Sequence, residues 1–116
     1  MSFFAQQGRH LFSGSFTLVN GTLTGTLYTP LTDEWADAYE IGATTDESAA
    51  TRTLTISDGT TTLTYFVGGG ATNAPLVDHA AVPVRFKKGT AITVSVNAVT
   101  AGKHIAVAVR GLTSKT

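Results

Sequence analysis

The 116-residue chain carries eight basic and eight acidic side chains, no cysteine and no formal net charge. A single domain is expected at this length, and disulfides, thiol nucleophiles and thiolate metal sites are excluded. Charged residues make up 14% and hydrophobic residues 42%, unlike a disordered chain, and no stretch approaches the roughly 18 apolar residues of a membrane span.

The opening residues, Met1-Ser2-Phe3-Phe4-Ala5-Gln6-Gln7-Gly8-Arg9, lack the basic region and long apolar run of a secretory signal peptide. They read as the start of an N-terminal arm, residues 1–11, ahead of one domain over residues 12–113. Two phenylalanines on a chain end suit docking onto a neighbouring subunit, or covering the open end of the domain itself.

From Phe12 to Tyr28 the pattern is that of a half-buried antiparallel hairpin. Phe12, Phe16, Leu18, Leu23 and Leu27 take one face, and Ser13, Ser15, Thr17, Thr22, Thr24 and Thr26 the other. Asn20-Gly21 between them suits a type I′ turn, which needs positive φ at both central positions. That register pairs Leu18 with Leu23, Phe16 with Gly25 and Gly14 with Leu27, so each glycine either lies bare beneath a large side chain or marks a local bulge.

Thr32 or Asp33 could cap one helical turn. Trp35, Asp37, Tyr39 and Ile41 also alternate. A loop or single turn through Trp35 is expected, then a strand from about Asp37 to Ala43.

A second hairpin turns at Asp58-Gly59, pairing Leu54 with Leu63 and Ile56 with Thr61. Gly68 to Pro75 reads as a flexible loop. Pro83 places its strand at a sheet edge, or itself at the strand's first residue. A third hairpin at Lys87-Lys88-Gly89 sets Val84 beside Ile92 and Val82 beside Val94. A turn at Ala101-Gly102 sets Val96 against Val107 and Ala98 against Ile105. The last strand, Ile105 to Val109, is apolar on both faces, which fits a central strand or a subunit contact. About eight short strands with regular turns define an all-β antiparallel sandwich. A jelly roll is the expected topology and an immunoglobulin-like sandwich the alternative.

The zero net charge conceals an asymmetry. Residues 33–58 hold seven acids against Arg52 alone, whereas beyond Asp78 every charged side chain is basic. One reading is a basic face for nucleic acid or an acidic partner. The reading favoured by an all-β topology is that strands from the two halves interleave and the charges mix. The near-neutral pI of about 6.8 and sparse basic residues exclude a typical nucleic-acid domain.

No catalytic constellation is visible. Ser13-Gly14-Ser15 lies in mid-strand without the nucleophile-elbow pattern. His10, His79 and His104 lack metal-ligand spacing. Asp78-His79 are adjacent in an extended segment and point to opposite faces. Asp33, Glu34 and Asp37 lack the alternating oxygens and glycine of a calcium loop. The triple glycine is followed by no phosphate-loop lysine or serine. Trp35, Tyr28, Tyr39, Tyr65 and Phe66 suit core packing or a stacking platform for sugar rings or bases, Trp35 being the best platform candidate. No enzyme activity, cofactor or metal is expected.

Three segments carry a resemblance: Ala50-Thr51-Arg52-Thr53-Leu54-Thr55-Ile56-Ser57-Asp58-Gly59, Pro83-Val84-Arg85-Phe86-Lys87-Lys88-Gly89-Thr90-Ala91-Ile92-Thr93-Val94, and Ile105-Ala106-Val107-Ala108-Val109-Arg110-Gly111. With them, the stretch from Tyr28 to Thr113 resembles small β-sandwich virion proteins of tailed bacteriophages, among them capsid decoration (cement) proteins and tail modules. The chain departs from that pattern at Pro30 to Trp35, where similar proteins often carry a proline-alanine-glycine loop. The resemblance implies a homotrimeric cement protein, made in the host cytoplasm, that binds the major capsid protein on the outer capsid surface. It implies neither nucleic-acid nor membrane binding. Phe3, Phe4 and Arg9 in the arm and Trp35 are the expected partner contacts. The alternative is a tail-associated module binding a receptor or host glycan through Trp35, Asp33, Asp37 and Tyr39.

Overall fold

The structure, a computed structural model, describes residues 9–69 and 76–115. These form eight strands: β1 (Arg9–Val19), β2 (Thr24–Tyr28), β3 (Glu34–Thr45), β4 (Thr51–Ser57), β5 (Thr62–Gly68), β6 (Leu76–Phe86), β7 (Ile92–Val96) and β8 (His104–Lys115). The paired backbone thus extends past residues 12–113 at both ends. Phe3 and Phe4 lie outside the described residues, as does most of the glycine-rich loop.

Two antiparallel sheets result, ordered β1-β8-β3-β6 and β2-β7-β4-β5. Within them β1 pairs with β8, β2 with β7, β3 with β6 and β4 with β5. The chain is therefore a ribbon whose first half lies antiparallel to its second. Further pairing of β3 with β8 and β4 with β7 rolls that ribbon into two sheets. This is the jelly-roll arrangement, not the strand grouping of an immunoglobulin sandwich. The doubly apolar β8 is central, between β1 and β3, and Pro83 lies in an edge strand, β6.

Alternation decides which side chains meet between the sheets. Phe12, Leu18, Ile41, Val107 and Val109 from one sheet face Leu27, Leu54, Ile56, Val67, Ile92 and Val94 from the other, all buried, and Phe86 is fully enclosed. The serines and threonines assigned to the polar face of residues 12–28 are all exposed. Across the second sheet the hydroxyls line up in two rows, Thr24–Ser95–Thr55–Thr64 and Thr26–Thr93–Ser57–Thr62. Six threonines and two serines thus form one continuous uncharged band on this outer face.

Three of the four expected hairpins are corrected. Val19 and Thr22 exchange backbone hydrogen bonds around Asn20-Gly21, as a two-residue turn requires. Beyond that bridge, β1 and β2 separate into different sheets. The same holds for β6 and β7 around Gly89, and for β7 and β8 around Gly102, where both glycines have positive φ. Turn chemistry specifies a chain reversal. It does not specify whether the strands continue side by side or open across a core. The apolar faces meet either way, so Gly25 does lie against the Phe16 ring: a Cβ there would come within 2.4 Å of it.

Among the described residues only β4 and β5 form a true hairpin, and its register differs by two residues from that expected. Ile56 opposes Leu63 and Leu54 opposes Tyr65. The Asp58 carboxylate accepts the amides of Thr60 and Thr61 at 2.8 and 2.6 Å, and Asp58 N–H donates to the Thr61 carbonyl at 3.2 Å. This closes a four-residue loop in place of a two-residue one. A shift of two leaves every side chain on its original face.

β3 begins earlier than the alternation suggests. It is extended from Glu34, so Trp35 lies in a strand and not in a loop. A tight turn, with Glu34 N–H donating to the Leu31 carbonyl at 3.0 Å, delivers the chain into it. A bulge at Tyr39 interrupts the register against both neighbours. Ala36 and Ala38 face inward before it, Ile41 and Ala43 after it. The extra residue reverses the parity, so Trp35 and Asp37 face outward while Ile41 faces the core.

Candidate functional site

The outer face of the first sheet carries the densest side-chain chemistry. Asp37 and Arg85 are direct cross-strand neighbours. The guanidinium meets the carboxylate through two parallel bonds, Nε to Oδ1 at 2.7 Å and Nη2 to Oδ2 at 2.9 Å. Bidentate geometry makes such pairs directional as well as strong. The bond to Asp37 raises the Arg85 pKa further above its ordinary value. Arg85 also lies over the Trp35 ring, 5.2 Å from its centroid, and the Lys88 ammonium approaches the same ring at 5.2 Å. Trp35 is therefore engaged by two cations.

One row further along, Glu40 and Arg110 are cross-strand neighbours and form an ion pair. Beside them an open depression of about 600 Å³ is lined by Leu11, Phe12, Ser13, Tyr39, Glu40, Arg110, Gly111 and Leu112. Leu11 is 87% exposed. Arg9, expected to contact a partner, opens β1 opposite Ser114.

The acids named from sequence do not converge. Glu34 turns inward and accepts the Tyr28 hydroxyl at 2.8 Å and the Leu31 amide at 3.3 Å. Burial, then this bond, pushes the Tyr28 hydroxyl up to about 12. Asp37 belongs to Arg85, and Asp33 is exposed. Nor do the aromatics share a platform. Tyr28 packs on Phe12 with ring centroids 4.7 Å apart. Tyr65 donates to Asp78 at 2.7 Å, and burial, then that bond, raises its pKa. Phe66 is exposed on the other sheet. Among the described residues no three His, Asp or Glu side chains cluster as a metal site would require.

A buried polar group escaped the sequence reading. Glu47, in the loop from β3 to β4, is fully enclosed. Its Oε1 accepts three bonds at 2.8 Å, from Arg52 Nε and from the amide and hydroxyl of Thr100. Burial raises the Glu47 pKa, but the Thr100 bonds and the Arg52 charge outweigh it and hold the carboxyl at about 2. The cluster ties the β3–β4 loop to the β7–β8 loop. The signal available in sequence was weak: an acid and an arginine five residues apart.

The ion pairs also answer the charge asymmetry. Asp37–Arg85 and Glu40–Arg110 each join the acidic segment to the basic C-terminal half, and the Asp46 carboxylate accepts the His104 backbone amide at 2.7 Å. Strands from the two halves interleave and the charges mix, as the all-β topology favoured.

No protein-family model matches this sequence, and no curated protein matches it. The fold has solved counterparts. A chain in the capsid asymmetric unit of cyanophage Pam1 superposes with a TM-score of 0.56 at 17% identity, covering 95% of this chain and 88% of that one. A chain in the acid-stable capsid of Helicobacter pylori bacteriophage KHP30 gives 0.55 at 11% identity, covering 90% and 88%. At such identities the likeness is one of fold.

Proposed function

We propose that this protein is a virion structural protein of a tailed bacteriophage, and specifically a capsid decoration protein that binds the outer shell as an oligomer and stabilises it. The observation that supports this most is the fold likeness to chains in two phage capsids, which spans nearly the whole length on both sides. The surface is consistent with it: mixed charge locked in cross-strand ion pairs on one sheet, and uncharged hydroxyls on the other. Such a scaffold suits binding by shape, with rim charges setting register. Phe3, Phe4 and Arg9 in the arm and Trp35 on the outer face are the proposed contacts. The glycan-binding alternative is less well supported, because Asp37 and Trp35 are already occupied by Arg85 and Lys88.

The test is co-sedimentation of the purified chain with undecorated capsids, followed by heating of the shells. We expect saturable binding and a higher shell melting temperature. Removing residues 2–7 should weaken binding at least tenfold with an unchanged circular dichroism spectrum, since β1 begins beyond them. Binding to a glycan array with none to capsids would replace this reading with the alternative.

A further inference from the structure

β1 is an edge strand of the first sheet. Among the described residues, no backbone pairs with its free side between Arg9 and Thr17. Edge strands left open invite pairing with another chain, so proteins usually blunt them with charges, proline, bulges or short length. The other edges here follow that rule. β6 carries Pro83, Asp78 and Arg85 and a large register break against β3. β2 has five residues. β5 ends at Gly68 and Gly69, both at positive φ, after seven residues.

Beyond its first residue, Arg9, β1 follows none of it. Its register with β8 runs without a shift from Arg9 to Val19. From His10 to Val19 there is no Lys, Arg, Asp, Glu or Pro. The direction of its free groups follows from the turn. Val19 N–H and C=O bond Thr22, away from β8, at 3.1 and 2.9 Å. In an unbroken antiparallel strand these groups alternate sides, so Leu11, Ser13, Ser15 and Thr17 also aim theirs at the open edge. The His10 carbonyl faces β8, where the Thr113 hydroxyl donates to it at 3.2 Å.

The sequence of this edge is symmetric: Phe12-Ser13-Gly14-Ser15-Phe16 reads the same in both directions. A two-fold axis at Gly14 sets Ser13 opposite Ser15 of a second copy, Leu11 opposite Thr17 and Phe12 opposite Phe16. The first two are pairs whose free N–H and C=O groups face each other. Residues of equal parity oppose, so inward faces stay inward. No like charges meet between His10 and Leu18. Exposed Leu11 and half-buried Phe16 supply apolar area at the seam.

We infer that the free edge of β1 is a self-association surface: two copies pair β1 to β1, antiparallel about Gly14, and join their first sheets into one. This isologous contact goes beyond the decoration reading and is scored without capsids. Sedimentation equilibrium of the full chain should show dimers or even-numbered assemblies. S13K/S15K places lysines opposite lysines and should abolish the dimer. S13K/S15E places lysine opposite glutamate and should restore it. S15P removes one edge N–H, a change edge strands tolerate, and should also give monomers. A monomeric or trimeric wild type, or a dimer unaffected by S13K/S15K, overturns the proposal. Failure of S13K/S15E to restore what S13K/S15K removes overturns the Gly14 register. If the lysine variant does not fold, hydrogen exchange on the wild type decides. Slow, concentration-dependent exchange at Leu11, Ser13, Ser15 and Thr17 supports the pairing, and fast exchange at all four overturns it.

Discussion

Glu47 holds two loops together through a single carboxylate oxygen. Arg52 and Thr100 compensate its buried charge, so removing the arginine alone leaves a carboxylate enclosed with only neutral donors. We expect Arg52→Met to destabilise the protein by about 3 kcal/mol in urea unfolding, the scale for breaking a buried pair from one side. Glu47→Gln/Arg52→Met should recover part of that loss. The pH dependence follows from the depressed pKa. The folded carboxyl titrates at about 2 against 4.5 ordinarily, so its contribution is complete above pH 4.5 and is lost as pH falls toward 2. Glu47→Gln should flatten the stability–pH curve in that window. A curve as steep as that of the wild type would show that other carboxylates dominate acid unfolding. Neither role is legible from an isolated Glu and Arg in sequence, because Thr100 arrives from the far end of the chain.

At the scale of strands, the bulge at Tyr39 decides which side chains the first sheet shows to its surroundings. Without it, Trp35 and Asp37 would share a face with Ile41, and the Asp37–Arg85 pair would not form on the outside. The parity break was present in the sequence, as Ala36 and Ala38 followed by Ile41 and Ala43, but strict alternation from Trp35 to Ile41 masked it. The bulge has a partner in Gly111 on β8. A Cβ there would lie 1.9 Å from the Asp37 carbonyl oxygen, against 3.0 Å for the closest real contacts. Backbone would have to move on two strands. We expect Gly111→Ala to cost at least about 3 kcal/mol, beyond ordinary overpacking. Gly21→Ala, with φ at +91° and open space around it, should cost about 1 kcal/mol. Paired thermal melts of the two variants check the order. Equal losses would mean that the bulge relaxes around an added methyl.

For the whole molecule, the pairing of β1 with β8 joins the first strand to the last, and β8 then serves as the centre of its sheet. Most sheet contacts therefore close long loops. Refolding by denaturant dilution should fall in the millisecond-to-second range of non-local β-topologies; microsecond relaxation would contradict it. Local alternation and turn residues were sufficient to identify an all-β chain, the inward side of nearly every strand and the positions of its reversals. Those features arise from neighbours two residues apart and from the φ demands of Gly21, Gly59, Gly89 and Gly102. The choice between a hairpin and an arch, the four-residue loop built on Asp58, the salt bridges across β3 and the enclosed Glu47 depended on the tertiary structure. Apart from the Asp58 loop, whose closing bonds are local, each of them joins residues far apart in the chain, whose approach is set by how two sheets close over one core.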